Sequence, residues 1–223
     1  ASSVLILAII GRLTASYIPP LKSPIKLKIK YNFLYETWRT IRLSNTNKHV
    51  FRSIHGISWF WFFGFFFMAS LPGFIRDVLK GDEIISAIFL TSISVGMGLG
   101  SIFCNKISDG HLKIGIVPIS SLGITISGLV FSTTPIIETI DKNMLFGYQA
   151  LAESGVIWRP LASLFFVGIF GGAYIVPLYT LLQIKSPEKT RSQFIASNNI
   201  LNAIYMVIAA ISGMILIKLG LDF

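Results

Sequence analysis

The interiors of the apolar segments of this sequence contain no Asp, Glu, Lys or Arg, and the polar groups there that could contact a ligand include amides and phenols. Asn198 and Asn202 stand four residues apart, so they share one face of a helix. An amide in an apolar environment needs a hydrogen-bond partner, so this face is expected to point into protein or a wet cavity. Such a pair suits a polar contact with a substrate headgroup or a gate, and it equally suits hydrogen bonds that fix helix packing.

Groups for catalysis or metal binding form no recognisable set. Cys104 is the only cysteine, which excludes an intrachain disulfide and a thiolate metal site. No second histidine, cysteine or carboxylate stands at ligand spacing from His111, and no Ser-His-Asp or paired-carboxylate arrangement is evident. The sequence therefore predicts neither an enzyme nor a bound cofactor or metal.

Composition indicates a membrane protein. Apolar residues make up 53% of the 223 residues and charged residues only 13%, with a mean hydropathy of +0.71. A soluble domain carries about 25% charged residues. The net charge of +9 comes from basic residues at the flanks of apolar segments, which is typical of membrane topology rather than of nucleic-acid binding. Membrane lipids are the predicted partner.

Five segments are long enough to cross a membrane, since a spanning helix needs about 20 residues. Their interiors contain no Asp, Glu, Lys or Arg, as hydrocarbon requires. We predict an all-α, polytopic transmembrane helix bundle in which residues 1–18 end a truncated helix, 19–53 form a basic cytoplasmic linker and 54–223 hold the five spans. The predicted spans are Ile54–Leu71, Ile84–Cys104, Ile114–Pro135, Trp158–Leu182 and Phe194–Ile217.

Lysine and arginine counts orient the spans. The connections around residues 12–53, 105–113 and 183–192 carry fourteen of them, against four around 72–83 and 136–159. The first set is therefore predicted to be cytoplasmic. Within the linker, Trp38 and Ile41 recur with basic residues between them, which fits either a helix on the inner membrane surface or a linker helix packed on neighbouring helix ends.

Small residues and a charged turn are the remaining candidates. Gly96 and Gly100 in one span, and Gly171, Gly172 and Pro177 in another, allow close helix contact or bending. Static packing explains each glycine singly, whereas the second group, beside two tyrosines, suggests a bendable helix that lines a path. The turn that contains Lys106 and Asp109 has cations able to pair with carboxylates or helix C-termini.

Three stretches resemble one family. The run from Gly56 to Gly64, with Trp-Phe-Trp at its centre, is similar to the seventh helix of lysophospholipid-transporter-type members of the major facilitator superfamily. Residues 114–118 resemble the start of their ninth helix. Ser186-Pro187 with Arg191, followed by Asn-Asn-x-x-Asn at 198–202, is similar to their tenth-to-eleventh connection and eleventh helix. The turn around Lys106 departs from the superfamily's Gly-x-x-x-Asp-Arg-x-Gly-Arg pattern.

The resemblance implies the C-terminal half of a twelve-helix transporter, from the end of helix six through helix eleven. It implies movement of lysophospholipids across the bacterial inner membrane for re-acylation, a partner N-terminal half, and in some members fused acyltransferase and acyl-ACP synthetase domains. Alternatives are a general efflux carrier on the same fold, the membrane part of an acyltransferase fusion, or a remnant without transport. Predicted substrate-path residues are Asn198, Asn202, Tyr174, Tyr179, Trp59 and Trp61; predicted gating or packing residues are Gly96, Gly100, Lys106, Asp109, Gly171, Gly172, Pro177 and Arg191.

Overall fold

A computed structural model describes residues 2–17, 33–109, 111–137 and 145–220. The described chain is helical, apart from an isolated bridge between Gly81 and Phe146. Residues 1–31 and 32–223 form separate units, and α1 belongs to the first. The helices are α1 Ser2–Ser16, α2 Phe33–Ser44, α3 Lys48–Asp77, α4 Glu83–Ser108, α5 Ile116–Ser132, α6 Tyr148–Glu153, α7 Trp158–Lys185 and α8 Arg191–Lys218, with a short 3₁₀ turn at Glu188–Thr190.

Helix lengths confirm the membrane character of the chain and change two of the predicted boundaries. Four helical segments are long and apolar enough to cross a membrane, namely α3, α4, α7 and α8 with its preceding 3₁₀ turn. The predicted span Ile114–Pro135 is a helix of only 17 residues, α5, at the short end of what spans a bilayer. Helix α3 begins at Lys48 rather than Ile54, because Asn47 caps it and Val50 is buried.

Contacts between the helices in residues 33–220 establish their directions. Gly96 and Gly100 of α4 lie against Phe165 and Ile169 of α7, in the same order, so α4 and α7 are parallel. Ser58 and Phe66 of α3 meet Asn202 and Gly213 of α8, again in parallel order.

The other two pairs run in opposite directions. In α3, Ser53 bonds to Leu178 of α7 and Phe60 lies against Gly171, so these helices are antiparallel. In α5, Gly123 meets Phe170 and Thr133 meets Arg159, so α5 is antiparallel to α7. Successive long helices therefore alternate in direction, as a polytopic bundle requires.

The buried core forms two clusters, one toward each end of the bundle. One contains Ile75, Phe89 and Phe131, and the other contains Ile54, Leu182 and Phe194. The outward faces are also apolar. On α5, residues Ile119, Leu122, Ile126 and Leu129 are each 60–66% exposed. Such continuous apolar stripes are a liability in water and a requirement in lipid.

The basic connections meet at one end of the bundle. The side chain of Asn47, at the start of α3, donates from Nδ2 to the carbonyl of Lys185 at the end of α7, 3.1 Å away. The parallel pairing of α4 with α7 places Lys106 at that end too. At the opposite end, Arg159 donates to Oγ1 of Thr133 at 2.6 Å. The charge asymmetry found in the sequence is thus an asymmetry between the two ends of one bundle.

Replacing Asn47 with alanine is expected to destabilise the protein by about 1–2 kcal/mol. Its Oδ1 accepts from the backbone N–H groups of His49 and Val50, and its Nδ2 ties α3 to α7. The measurement is thermal unfolding of the purified chain in detergent. Asn45→Ala is the matched control, since Asn45 is an exposed turn residue outside the helices; an equal loss in both variants would contradict the capping role.

Helix α2 packs beside the basic end. It contacts α8 and the beginning of α3, and Ile41 packs against the core cluster that contains Phe194 and Leu201. Thr37, Thr40 and Ile41 are half-buried, whereas Trp38 is 68% exposed. The linker helix is thus packed on its neighbours through one face.

Candidate functional site

A buried polar contact joins α3 to α8. Ser58 donates from Oγ to Oδ1 of Asn202 at 2.9 Å, and both residues are buried. The two positions are 144 residues apart in the chain. A hydroxyl–amide bond inside a membrane bundle contributes about 0.6 kcal/mol on average and up to about 1.7. Asn202 therefore has a packing role that the sequence left as one of two options.

Asn198 lies one turn before Asn202 and is less satisfied. It is 1% exposed, its Nδ2 makes a long 3.4 Å contact with Oδ1 of Asn199, and its Oδ1 has no hydrogen-bond partner among the described residues. The adjacent Ser197 is buried, and its Oγ also lacks a partner within the part of the chain that the structure describes. A buried polar atom without a partner costs about 1–3 kcal/mol. Asn198 is therefore the less satisfied of the two amides.

A cavity of about 620 Å³ lies between α3, α5 and α7, within the 300–1,000 Å³ range of small-molecule sites. Its polar groups are few and include Ser121 and Thr125 of α5. Gly128, also on α5, leaves open space beside it. Nearly half of the lining residues are aromatic: Trp59, Phe60, Phe63, Phe66, Phe67, Phe74, Phe131 and Tyr174. We call this space the aromatic cavity; its chemistry suits an apolar chain rather than a charged solute.

The six predicted path residues form three groups: two on the cavity wall, two in a contact between α3 and α7, and two asparagines on α8. Trp59 and Tyr174 line the aromatic cavity, and Tyr174 donates its hydroxyl to the carbonyl of Gly56 at 3.3 Å. Trp61 donates from Nε1 to the hydroxyl of Tyr179 at 3.3 Å, which pairs α3 with α7. Neither Asn198 nor Asn202 lies on the cavity wall.

The predicted glycines meet at the contact between α4 and α7. Gly96 and Gly100 face α7 with Gly168 and Gly172 facing back, and a Cβ on any of the four would overlap a backbone carbonyl of the other helix. Only hydrogen side chains permit this approach. Gly171 instead packs on the ring of Phe60. Close packing of α4 on α7 therefore accounts for the glycines at this contact.

Helix α7 continues as a regular helix through Pro177. The residue is buried within α7, which extends eight residues beyond it to Lys185. A proline removes one helical N–H and leaves the carbonyl four residues earlier without its helical partner. Pro177 therefore leaves one helical hydrogen bond unmade, as a bendable helix requires, while α7 itself is an uninterrupted helix from Trp158 to Lys185.

The charged turn after α4 is held by backbone acceptors. Lys113 donates from Nζ to the carbonyl of Ile107 at 2.9 Å, at the C-terminal end of α4, where a cation is favoured. Asp109 caps α4 in a left-handed conformation with φ 48°, and its carbonyl lies 2.8 Å from Nδ1 of His111. Lys106 is in the last turn of α4, and Arg191 begins α8 as an exposed residue.

Within residues 2–17, 33–109, 111–137 and 145–220, no group of three or more His, Cys, Asp or Glu could hold a metal ion. Comparisons with protein-family models, with characterised proteins and with solved structures gave no significant match to this chain. The site must therefore be interpreted from its own chemistry.

Sequence reasoning missed the partners of the residues that it selected. Ser58 and Ser197 carry no distinguishing signal in the sequence, since serine is common in these helices. The phenylalanine wall had a visible signal, because six of the eight residues from Phe60 to Phe67 are phenylalanine. The position of α5 beside these rings is what makes them part of a cavity wall.

Proposed function

We propose that this chain is half of a secondary transporter of the major facilitator type, which moves lysophospholipid across a bacterial inner membrane by alternating access. The observation that carries the proposal is the relation between two helix pairs. In the first pair α3 is followed by α4, and in the second α7 is followed by α8, with every direction reversed.

The packing of these pairs is reciprocal. The second helix of each pair lies parallel to the first helix of the other pair, since α4 packs on α7 and α8 packs on α3. The two first helices, α3 and α7, pack antiparallel to each other. Inverted repeats of this kind, related by an axis in the membrane plane, are a recurrent construction of secondary transporters, including each half of the major facilitator fold.

The aromatic cavity supports an amphiphile as the substrate. A wall of eight aromatic side chains with few hydroxyls beside it offers an acyl chain apolar contact and offers a small ion almost nothing. The predicted span interiors contain no charged residue that would serve a proton relay. The acyl chain of a lysophospholipid is the proposed occupant, with hydroxyls such as those of Ser121 and Thr125 on the cavity wall as polar contacts. Asn198 lies off this wall and is proposed to serve a separate polar contact along the path.

A second half is part of the proposal. Substrate sites of such transporters lie at the interface of the repeats, so the path requires an N-terminal half as partner. Re-acylation of the delivered lipid would need acyltransferase and acyl-ACP synthetase domains, for which this chain offers no catalytic set. The chain itself is proposed to act in transport and not as an enzyme.

Filling the aromatic cavity is expected to reduce lysophospholipid uptake about tenfold, equivalent to about 1.4 kcal/mol of lost binding. Gly128→Phe places a ring in open space on the cavity wall, where no atom lies within 4 Å of a new Cβ. The measurement is uptake of labelled lysophosphatidylethanolamine by vesicles that contain the full transporter.

Gly98→Phe is the matched control for this experiment, because Gly98 is exposed on α4 with equally open surroundings and lies outside the cavity. Equal uptake by both variants would reject the cavity as the acyl-chain site. Uptake of a hydrophobic cation, with none of lysophospholipid, would instead favour a general efflux carrier. A photoreactive lysophospholipid that labels Phe63 or Phe67 gives direct support, whereas crosslinks from those positions to polypeptide alone would contradict lipid occupancy.

A further inference from the structure

The outward face of α2 combines exposed aromatic and basic side chains. Tyr35, Trp38, Arg39 and Arg42 are all exposed. At 100° per residue they fall within an arc of about 100° on one side of the helix. Thr37, Thr40 and Ile41 occupy the packed side. One face of α2 therefore packs on the bundle, and the opposite face carries two aromatic rings and two guanidinium groups.

Charge around α2 is strongly positive in the sequence. Between residues 1 and 53 there are nine lysines and arginines and a single acidic residue, Glu36. Four lysines at positions 22, 26, 28 and 30 directly precede the helix. At the same end of the bundle, Lys48, Arg52, Lys185 and Arg191 are exposed. Besides Glu36 in α2 itself, the acidic residues of the described chain at this end are Asp109 and Glu188. Anions are the complementary partner.

The aromatic residues restrict the kind of anion. Trp38 is 68% exposed and Tyr35 49% exposed, and such rings are placed favourably at the boundary between headgroups and acyl chains. Arginine recognises phosphate through two parallel hydrogen bonds. A surface that offers both at once, beside membrane-spanning helices, fits a phospholipid headgroup with its glycerol and first methylenes.

We propose that the outward face of α2 binds anionic phospholipid headgroups at the membrane surface. Arg39 and Arg42 contact the phosphates, while Trp38 and Tyr35 enter the headgroup region. The opposite face attaches the helix to the bundle, because Ile41 packs against the cluster with Phe194 and Leu201. The inference is independent of the transported substrate.

The test is a titration of phosphatidylglycerol into phosphatidylcholine nanodiscs that hold the full chain. Brominated phosphatidylglycerol is expected to quench a tryptophan signal that the variant Trp38→Phe lacks. Arg39→Gln combined with Arg42→Gln is expected to lower the affinity for phosphatidylglycerol about thirtyfold, the effect of two cations at the membrane surface. High salt is expected to weaken binding in the same direction.

Arg76→Gln with Lys218→Gln is the matched control, since these two exposed cations end α3 and α8 at the opposite end of the bundle. The control should leave the titration unchanged. Arg39→Lys with Arg42→Lys keeps the charge and should retain binding within severalfold, which separates loss of charge from loss of folding. Equal titration curves for the wild type and the glutamine pair, or equal losses in the glutamine pair and the control, would overturn the proposal.

Discussion

Replacing Gly100 with valine is expected to force α4 and α7 apart and to destabilise the bundle by about 3 kcal/mol, at the upper end of overpacking effects. A Cβ at this position would overlap the carbonyl of Ile169, which is backbone and has no rotamer to move into. The interface can yield only by a shift of whole helices. Because α7 also contacts α3 and α5, such a shift disturbs most of the core.

Cys104 offers a direct measurement of this effect. It is the only cysteine of the chain and is 2% exposed, so a thiol-reactive fluorescent dye reports its exposure on heating. Gly98→Val is the matched control, because Gly98 lies two residues away on the same helix with nothing within 4 Å of its Cβ position. We expect the control to retain nearly the wild-type unfolding temperature. Similar losses at both positions would show that helix propensity, not interhelical contact, governs the response.

Replacing Asn198 with leucine is expected to lower lysophospholipid uptake at least about tenfold while raising stability by about 1 kcal/mol. The stability gain follows because the substitution removes a buried amide oxygen that has no partner within the described part of the chain. The loss of uptake follows if that oxygen accepts a hydrogen bond from the substrate or from a gate. A buried group that costs stability and serves function is a recurrent trade-off.

Asn202→Leu is the comparison variant for this experiment. It breaks the bond with Ser58, so stability is expected to fall by about 0.6–1.7 kcal/mol, the range for such bonds in membranes. Uptake by vesicles and thermal unfolding are measured on the same preparations, with expression matched. Unchanged uptake by Asn198→Leu would remove Asn198 from the substrate path, and a fall in its stability would show that its amide is satisfied after all.

Much of the fold follows from local composition. Helices α3, α4, α7 and α8 coincide with predicted spans because hydropathy adds up over neighbouring residues and needs no tertiary partner. The boundary at Lys48 was missed because Asn47, rather than hydropathy, begins the helix. The short α5 was overestimated because apolar flanks such as Ile114 and Pro135 lie outside its helical part.

The apolar character of the spans, the helical class and the difference in charge between the two ends could be predicted from the sequence, since each is a sum over residue types. The pairing of polar atoms could not, because it depends on contacts between helices. Asn202 and Asn198 look equivalent along the chain, yet the Oδ1 of Asn202 accepts from Ser58 of another helix, whereas the Oδ1 of Asn198 has no hydrogen-bond partner among the described residues. The same holds for Gly98 and Gly100. Contact between distant segments depends on helix direction and rotation, and these follow from the packing of the whole bundle rather than from any local pattern.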